Sequence, residues 1–63
     1  MKQMTLKVAR QVAELTQEVA AKKIGVARST LKKWEKGESF PTQPYIEKMC
    51  EVYGVKYDEL LFK

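Results

Sequence analysis

Hydrophobic residues recur along the chain three or four positions apart, as on one face of a helix, and glycine or proline separates the segments that show this repeat. The clearest repeat has four members, at i, i+3, i+4 and i+7: Ile46, Met49, Cys50 and Tyr53. Gly54 follows the last of them, and Pro44 fits a first helical turn, where the missing backbone N–H is not needed. This pattern predicts a helix from about Pro44 to Tyr53 with one apolar face.

Three further helices are predicted before it, and one or two helical turns after it. The ranges are about 5–13, 16–24, 27–36 and 57–61. Thr16 offers a side-chain oxygen to cap the second helix, and Gly25 and Gly37 end the second and the third. Strand signals and internal repeats are not found. The sequence therefore predicts a single all-α domain of about five short helices over residues 1–63.

The third predicted helix separates its side chains onto two faces. Its apolar face carries Leu31 and Trp34. The opposite sector of about 140° carries four cations and one hydroxyl, with no acid: Arg28, Ser29, Lys32, Lys33 and Lys36. Solvated helices usually mix the two signs of charge, so this face indicates a ligand with phosphates or base edges, although a plain basic surface would have the same composition.

Composition excludes several classes of site. The 63 residues include one cysteine, Cys50, and no histidine, which excludes an intramolecular disulfide and a Cys/His zinc centre. We therefore expect no metal and no cofactor. No apolar run approaches the roughly 20 residues of a membrane span, so a cytoplasmic protein with no membrane partner is expected.

Charge is unevenly distributed along the chain. Nine of the 12 Lys and Arg residues lie before residue 38, whereas five of the eight acids lie after residue 37. An uneven basic field favours a polyanionic partner, usually nucleic acid and sometimes an anionic membrane; a solubilising surface is the alternative.

A set of residues across five segments carries a family resemblance. They are Leu15-Thr16-Gln17, Ala21, Gly25-Val26, Arg28-Ser29-Thr30-Leu31, Trp34-Glu35, Gly37, Pro41, the helix 46–53, Gly54-Val55 and Asp58-Glu59-Leu60-Leu61. In this register the chain resembles the lambda repressor-like (Cro and repressor type, XRE) helix-turn-helix family. The resemblance implies a compact five-helix DNA-binding domain with its helix-turn-helix at about residues 16–36.

The resemblance also implies roles for individual residues. Base contacts would come from the third helix, through Arg28, Ser29, Lys32 and Lys33. DNA-backbone contacts would come from Thr16, Gln17, Lys36, Ser39 and Gln43. Arg10 and Glu35 occupy positions that family members often pair, and the pair is interpreted as structural.

Three positions depart from the family pattern. Ala27 stands where a serine often caps the third helix and has no oxygen to offer. Glu14 stands where a glycine often makes the turn after the first helix; a left-handed conformation would be strained there, so we expect a longer first helix and a displaced turn. Lys56 replaces a common cap before the last helix.

The resemblance implies double-stranded DNA as the partner, bound by a homodimer. One recognition helix reads few base pairs, so we expect a symmetric pair of chains, at least on DNA. The candidate dimer contacts are the apolar residues near the C-terminus: Tyr57, Leu61 and Phe62.

Two function classes are therefore considered. The first is a sequence-specific transcriptional regulator of the repressor or Cro kind in a bacterial or phage-infected cell. The second is a protein-interaction module of the same fold, such as an antitoxin or adaptor whose basic face meets an acidic protein. Glu47 and Glu51 lie four apart on one helix face, but without histidine or a pocket we expect no catalysis and no small-molecule substrate.

Overall fold

The computed structural model describes residues 3–61 and contains four α-helices and a two-stranded sheet. The elements are β1 (Met4–Thr5), α1 (Leu6–Val12), α2 (Gln17–Ile24), α3 (Arg28–Lys36), α4 (Gln43–Tyr53), a 3-10 turn (Tyr57–Glu59) and β2 (Leu60–Leu61). The predicted helices at 5–13, 16–24, 27–36 and 44–53 are confirmed to within a residue or two. The all-α helix-turn-helix fold is confirmed as well.

Threonine side chains cap the first two helices, at Thr16 as predicted and also at Thr5, for which no cap was predicted. The Thr5 hydroxyl accepts the Val8 N–H at 3.2 Å, and the Thr16 hydroxyl accepts the Val19 N–H at 3.2 Å. Each threonine satisfies one of the N–H groups that a first helical turn leaves unpaired. Ala27, in contrast, precedes α3 at the N-cap position and makes no side-chain cap hydrogen bond, because its methyl group has no oxygen.

Glu14 adopts the left-handed conformation, with φ 61°. The expected longer first helix and displaced turn are therefore wrong: α1 ends at Val12 and the turn follows directly. Hydrogen bonds on both sides of Glu14 hold it there. Its own N–H donates to the Gln11 carbonyl at 3.0 Å, and the Leu15 N–H donates to the Arg10 carbonyl at 3.1 Å. These hydrogen bonds at the C-terminus of α1 thus outweigh the steric preference of this residue.

Replacing Glu14 with glycine is expected to stabilise the protein by about 0.5–1 kcal/mol. Glycine removes the steric strain of a left-handed Cβ, roughly 1–2 kcal/mol, and loses part of this gain to the greater entropy of its unfolded chain. Urea denaturation of both proteins measures the difference. A less stable Glu14→Gly variant would show that the exposed Glu14 side chain stabilises the fold by more than its backbone strain.

The C-terminal segment differs from the predicted fifth helix at 57–61. A single 3-10 turn forms, closed by the Glu59 N–H on the Lys56 carbonyl at 3.0 Å and by the Lys56 N–H on the Glu59 carboxylate at 2.7 Å. Leu60 is then extended and buried. The five-helix prediction is thus wrong by one helix.

A short parallel ladder joins the two ends of the described chain, although no strand was predicted. Met4 lies opposite Leu60, and Thr5 lies opposite Leu61. Such a pairing spans almost the whole sequence, so no local pattern of residues announces it. The ladder places β1, and the start of α1 after it, beside the 3-10 turn and β2.

The core lies between the four helices. Its buried members are Leu6, Ala9, Ala20, Ala21, Ile24, Leu31, Trp34, Met49, Tyr53 and Leu60. Trp34 and Tyr53 are core residues, as their place on apolar helix faces predicts, whereas Cys50 is half-buried at the edge of the core. None of the helices within residues 3–61 has the length and apolar character needed to cross a membrane.

Candidate nucleic-acid interface

Two helices and a glycine turn build the surface on which the candidate residues lie. Gly25 ends α2 with φ 94°, a conformation that a side chain would strain. The N–H groups of Gly25 and Val26 both donate to the Ala21 carbonyl, at 2.8 and 3.0 Å. These two hydrogen bonds to the Ala21 carbonyl close the end of α2 and direct the chain into α3.

Two apolar side chains fix the rotation of α3 about its axis. Leu31 is fully buried, and Trp34 is 7% exposed. Because these two face the core, the opposite face lies in solvent, and the five residues singled out on it are all exposed: Arg28, Ser29, Lys32, Lys33 and Lys36. The acidic residue of α3, Glu35, lies off this face, and its side chain is only 4% exposed.

A cleft at the N-terminal ends of α2 and α3 brings three of the candidate residues together. Thr16, Gln17 and Arg28 line this open cavity of about 320 Å³, together with Arg10 and Glu18. Arg28, a candidate base contact, thus shares this cavity with the candidate backbone contacts Thr16 and Gln17. The N-terminus of α2 also presents backbone N–H groups here, which favour anions.

The remaining candidate backbone contacts are the last residue of α3, Lys36, and two residues that follow α3, Ser39 and Gln43. Gly37 ends α3, and the Glu38 N–H donates to the Lys33 carbonyl at 3.0 Å. Ser39 follows in the loop and is half-buried, whereas Gln43 is exposed at the first position of α4. Along the chain, the candidate backbone contacts therefore form two groups, one before α3 and one that begins at its last residue.

Arg10 and Glu35 form an ion pair between α1 and α3. The Nε of Arg10 lies 2.7 Å from Oε2 of Glu35, and its Nη2 lies 3.4 Å from Oε1. Arg10 Nη1 also donates to the Leu15 carbonyl at 2.8 Å, beside the turn at Glu14. The side chains of Arg10 and Glu35 are 11% and 4% exposed, so the pair is largely removed from water.

Gln17 also donates to Glu35, a contact that the sequence does not predict. Its Nε2 lies 2.9 Å from Oε1 of Glu35. The two residues are eighteen positions apart on different helices, and neither helical spacing nor the family resemblance links them. Glu35 thus joins α1, α2 and α3 through a single carboxylate.

The Tyr53 hydroxyl is buried close to this carboxylate and has no hydrogen-bond partner among residues 3–61. Burial of the phenol, followed by the negative charge of Glu35, raises the pKa of Tyr53 to about 12, although the positive charge of Arg10 lowers it. The folded protein thus retains a neutral phenol well above pH 10.

Replacing Tyr53 with phenylalanine is expected to preserve or slightly raise stability near neutral pH, because the removed hydroxyl makes no hydrogen bond. Above about pH 10 the variant should become increasingly more stable than the wild type. Unfolded wild type releases the phenol proton there while the folded state keeps it, so wild-type stability falls as the pH rises towards 12.

Urea denaturation of both proteins at about pH 8 and about pH 11 tests this, since the lysines common to both cancel in the comparison. A Tyr53→Phe variant with the same relative stability at both pH values would contradict a raised pKa. A marked loss at about pH 8 would mean that the hydroxyl has a partner.

The candidate dimer contacts are described in part. Tyr57 is 58% exposed in the 3-10 turn, and Leu61 is half-buried in β2. Phe62 lies outside the described residues.

Glu47 and Glu51 line a shallow cleft with Pro44 and Lys48, and the Lys48 ammonium lies 3.6 Å from the Glu51 carboxylate. Within residues 3–61, no group of three or more Cys, Asp and Glu residues is placed to hold a metal ion.

Comparison with known proteins agrees with this architecture. A family model described as helix-turn-helix matches residues 6–60. An uncharacterised HTH-type transcriptional regulator of Methanocaldococcus jannaschii is 40% identical over 55 residues, 87% of this chain and 83% of that protein. The HTH-type transcriptional activator BcrR of Enterococcus faecalis is 36% identical over 47 residues, 75% of this chain but 23% of that protein.

No solved structure is significantly similar to the chain. The family match nevertheless covers nearly all of the described residues, from the start of α1 to β2. It includes both helices of the motif and the exposed basic face. The chain therefore belongs to the lambda repressor-like, XRE-type helix-turn-helix family of DNA-binding transcription regulators.

Proposed function

We propose that the chain is a sequence-specific regulator that reads the major groove of double-stranded DNA with α3. The observation that carries this proposal is the orientation of α3, whose buried Leu31 and Trp34 leave an exposed face of four cations and one hydroxyl without an acid. An α-helix fits the major groove of B-DNA, and the base edges there offer acceptors to these donors. Both named relatives are transcriptional regulators, which supports the same function.

Base contacts are assigned to the four residues from Arg28 to Lys33 that lie on this face. Arg28, at the first turn of α3, suits the O6 and N7 of a guanine, because its guanidinium can donate to both acceptors at once. Lys32 and Lys33 can reach the same acceptors as single donors, and Ser29 suits any base edge. We expect Arg28 to contribute most to discrimination.

Backbone contacts are assigned to the residue groups at the two ends of α3. Thr16 and Gln17 would hold a phosphate at the N-terminus of α2, and Lys36, Ser39 and Gln43 would hold the backbone on the other flank. Such contacts fix the register of a protein on the duplex and carry no sequence information.

Replacing Lys36 with alanine is expected to weaken binding about equally on all DNA sequences and to reduce the salt slope by roughly one, because one phosphate-bound cation is lost. Fluorescence anisotropy across a salt series measures both. Replacing Gln43, which is uncharged, provides the control and should leave the salt slope unchanged. A Lys36→Ala variant with the wild-type slope would contradict the phosphate contact.

Two chains are proposed to bind one site. A single α3 covers few base pairs, so a symmetric pair with recognition helices about 34–36 Å apart would read two half-sites one helical turn apart. We assign the contact between chains to the apolar residues Tyr57, Leu61 and Phe62. A free dimer should be weak, because residues 3–61 already place most of their leucine, isoleucine and methionine side chains in the core of the domain.

Regulation is proposed to occur by occupancy of an operator, as in repressors of the Cro kind. Occlusion of a promoter needs only the DNA-binding surface, whereas activation also needs a contact with the transcription machinery. A reporter gene under the selected binding site tests this directly. Expression should fall when the protein is present, and a rise would make the chain an activator, as BcrR is named.

Selection of bound duplexes from a random DNA pool tests the whole proposal. Enrichment of a pseudo-palindromic site with half-site centres about one turn apart is expected. Enrichment of a single half-site would contradict the dimer. Failure to enrich any duplex would overturn DNA recognition and favour an acidic protein as the partner of the basic face.

A further inference from the structure

Glu35 serves more than one neighbour in this fold. Its Oε2 accepts from Arg10 Nε at 2.7 Å, and its Oε1 accepts from Gln17 Nε2 at 2.9 Å. The Arg10 pair connects α3 to the core-facing side of α1. The Gln17 bond connects the same carboxylate to the cleft at the N-terminus of α2, where a backbone contact is proposed.

The chemistry of this bond determines how the Gln17 amide is oriented. An ionised carboxylate only accepts hydrogen bonds, so Gln17 must present its NH2 group to Glu35 rather than its carbonyl oxygen. One N–H of the Gln17 amide is thereby used, while its second N–H and its own carbonyl oxygen remain for other partners. Gln17 is half-buried, whereas Gln11 and Gln43 are exposed and receive no comparable support from a buried group.

We propose that Glu35 is a positioning residue for DNA binding, which holds the Gln17 amide at the mouth of the cleft in the orientation that meets the DNA backbone. This inference rests on the proposed function and adds a binding role to a residue whose pairing with Arg10 is structural. A side chain ordered before binding loses less rotamer freedom on binding, which corresponds to an affinity gain of about twofold to tenfold.

A double-mutant cycle on DNA affinity tests the proposal. The probe is the duplex that the wild-type chain enriches from a random pool. Replacing Gln17 with alanine should weaken binding about threefold to tenfold in the wild-type chain. In an Arg10→Met, Glu35→Met background, where Gln17 is no longer held, the same replacement should weaken binding by less than about twofold.

Gln43 provides the matched control, because it is also a glutamine proposed to contact the backbone but lies apart from Glu35. Its replacement with alanine should weaken binding by the same factor in both backgrounds. Thermal melts must show that each variant is folded at the temperature of the binding assay. Equal effects of Gln17→Ala in the two folded backgrounds would overturn the positioning role.

A second measurement uses the unmodified protein and does not depend on the folding of a variant. Side-chain amide relaxation by NMR should show a more rigid NH2 group at Gln17 than at Gln11 and Gln43. Equal mobility of the three amides would also overturn the positioning role.

The two proposals fail in different ways. A wild-type chain that binds no duplex overturns the proposed function and this inference together. A wild-type chain that binds its selected duplex, weakens on replacement of Lys36 and Gln43, and gives no coupling between Gln17 and Glu35 overturns this inference alone.

Discussion

Replacing Trp34 with alanine is expected to leave the chain largely unfolded at 25 °C. The indole is 7% exposed and lies in the core, with its ring centroid 5.6 Å from that of Tyr45. Removing a buried tryptophan costs about 3–5 kcal/mol, and a domain of this size has roughly 3–5 kcal/mol of net stability in total. The expected loss of stability is therefore as large as the whole free energy of unfolding.

Circular dichroism is the suitable measurement, since Trp34 is the chain's single tryptophan and fluorescence is lost with it. The variant should lack a cooperative thermal transition. Phe40, at 59% exposed, is the matched aromatic control, and its replacement with alanine should change stability by no more than about 0.5 kcal/mol. A Trp34→Ala protein that melts like the wild type would show that α3 is not anchored through the indole.

Replacing Arg10 alone with methionine is expected to destabilise the fold by about 3–5 kcal/mol, because the Glu35 carboxylate is then left buried without its cation. The Leu15 carbonyl loses its Arg10 donor at the same time. Replacing Arg10 and Glu35 together should return the stability to within about 1 kcal/mol of wild type, since no buried charge remains.

Circular dichroism shows whether each single variant still folds, and urea denaturation compares the double variant with the wild type, which together complete this cycle. The interaction free energy between the two replacements is expected to be large, so the double variant should be more stable than Arg10→Met alone. Additive effects would mean that the pair is weaker than its 2.7 Å separation and its burial indicate.

The four helices are predictable from the sequence because their causes are local. The 3.6-residue period of α4, the threonine oxygens before α1 and α2, and the glycines that end α2 and α3 all act within a few positions. The exposed face of α3 follows from the same period once Leu31 and Trp34 are assigned to the core. Local chemistry therefore determines both the elements and the side of α3 that is free.

The features that the sequence does not reveal depend on residues brought together in space. Glu14 takes a conformation that its own side chain disfavours, in a turn whose Leu15 carbonyl is bound by Arg10, which Glu35 of α3 in turn holds. The bond from Gln17 to Glu35 exists only once α2 has packed beside α3. The Tyr53 hydroxyl, which finds no hydrogen-bond partner in the described part of the chain, is likewise a property of the assembled core, since Tyr53 is otherwise an ordinary apolar position of α4.

The parallel ladder between β1 and β2 has a consequence for the order of folding. Its two residue pairs close a loop that contains all four helices, and closing so long a loop in an unfolded chain opposes pairing by on the order of 3–4 kcal/mol. Two backbone pairs cannot offset this entropy, whereas packed helices bring the two segments together beforehand. The ladder must therefore form after the helical core, and it can open first without disturbing the exposed face of α3.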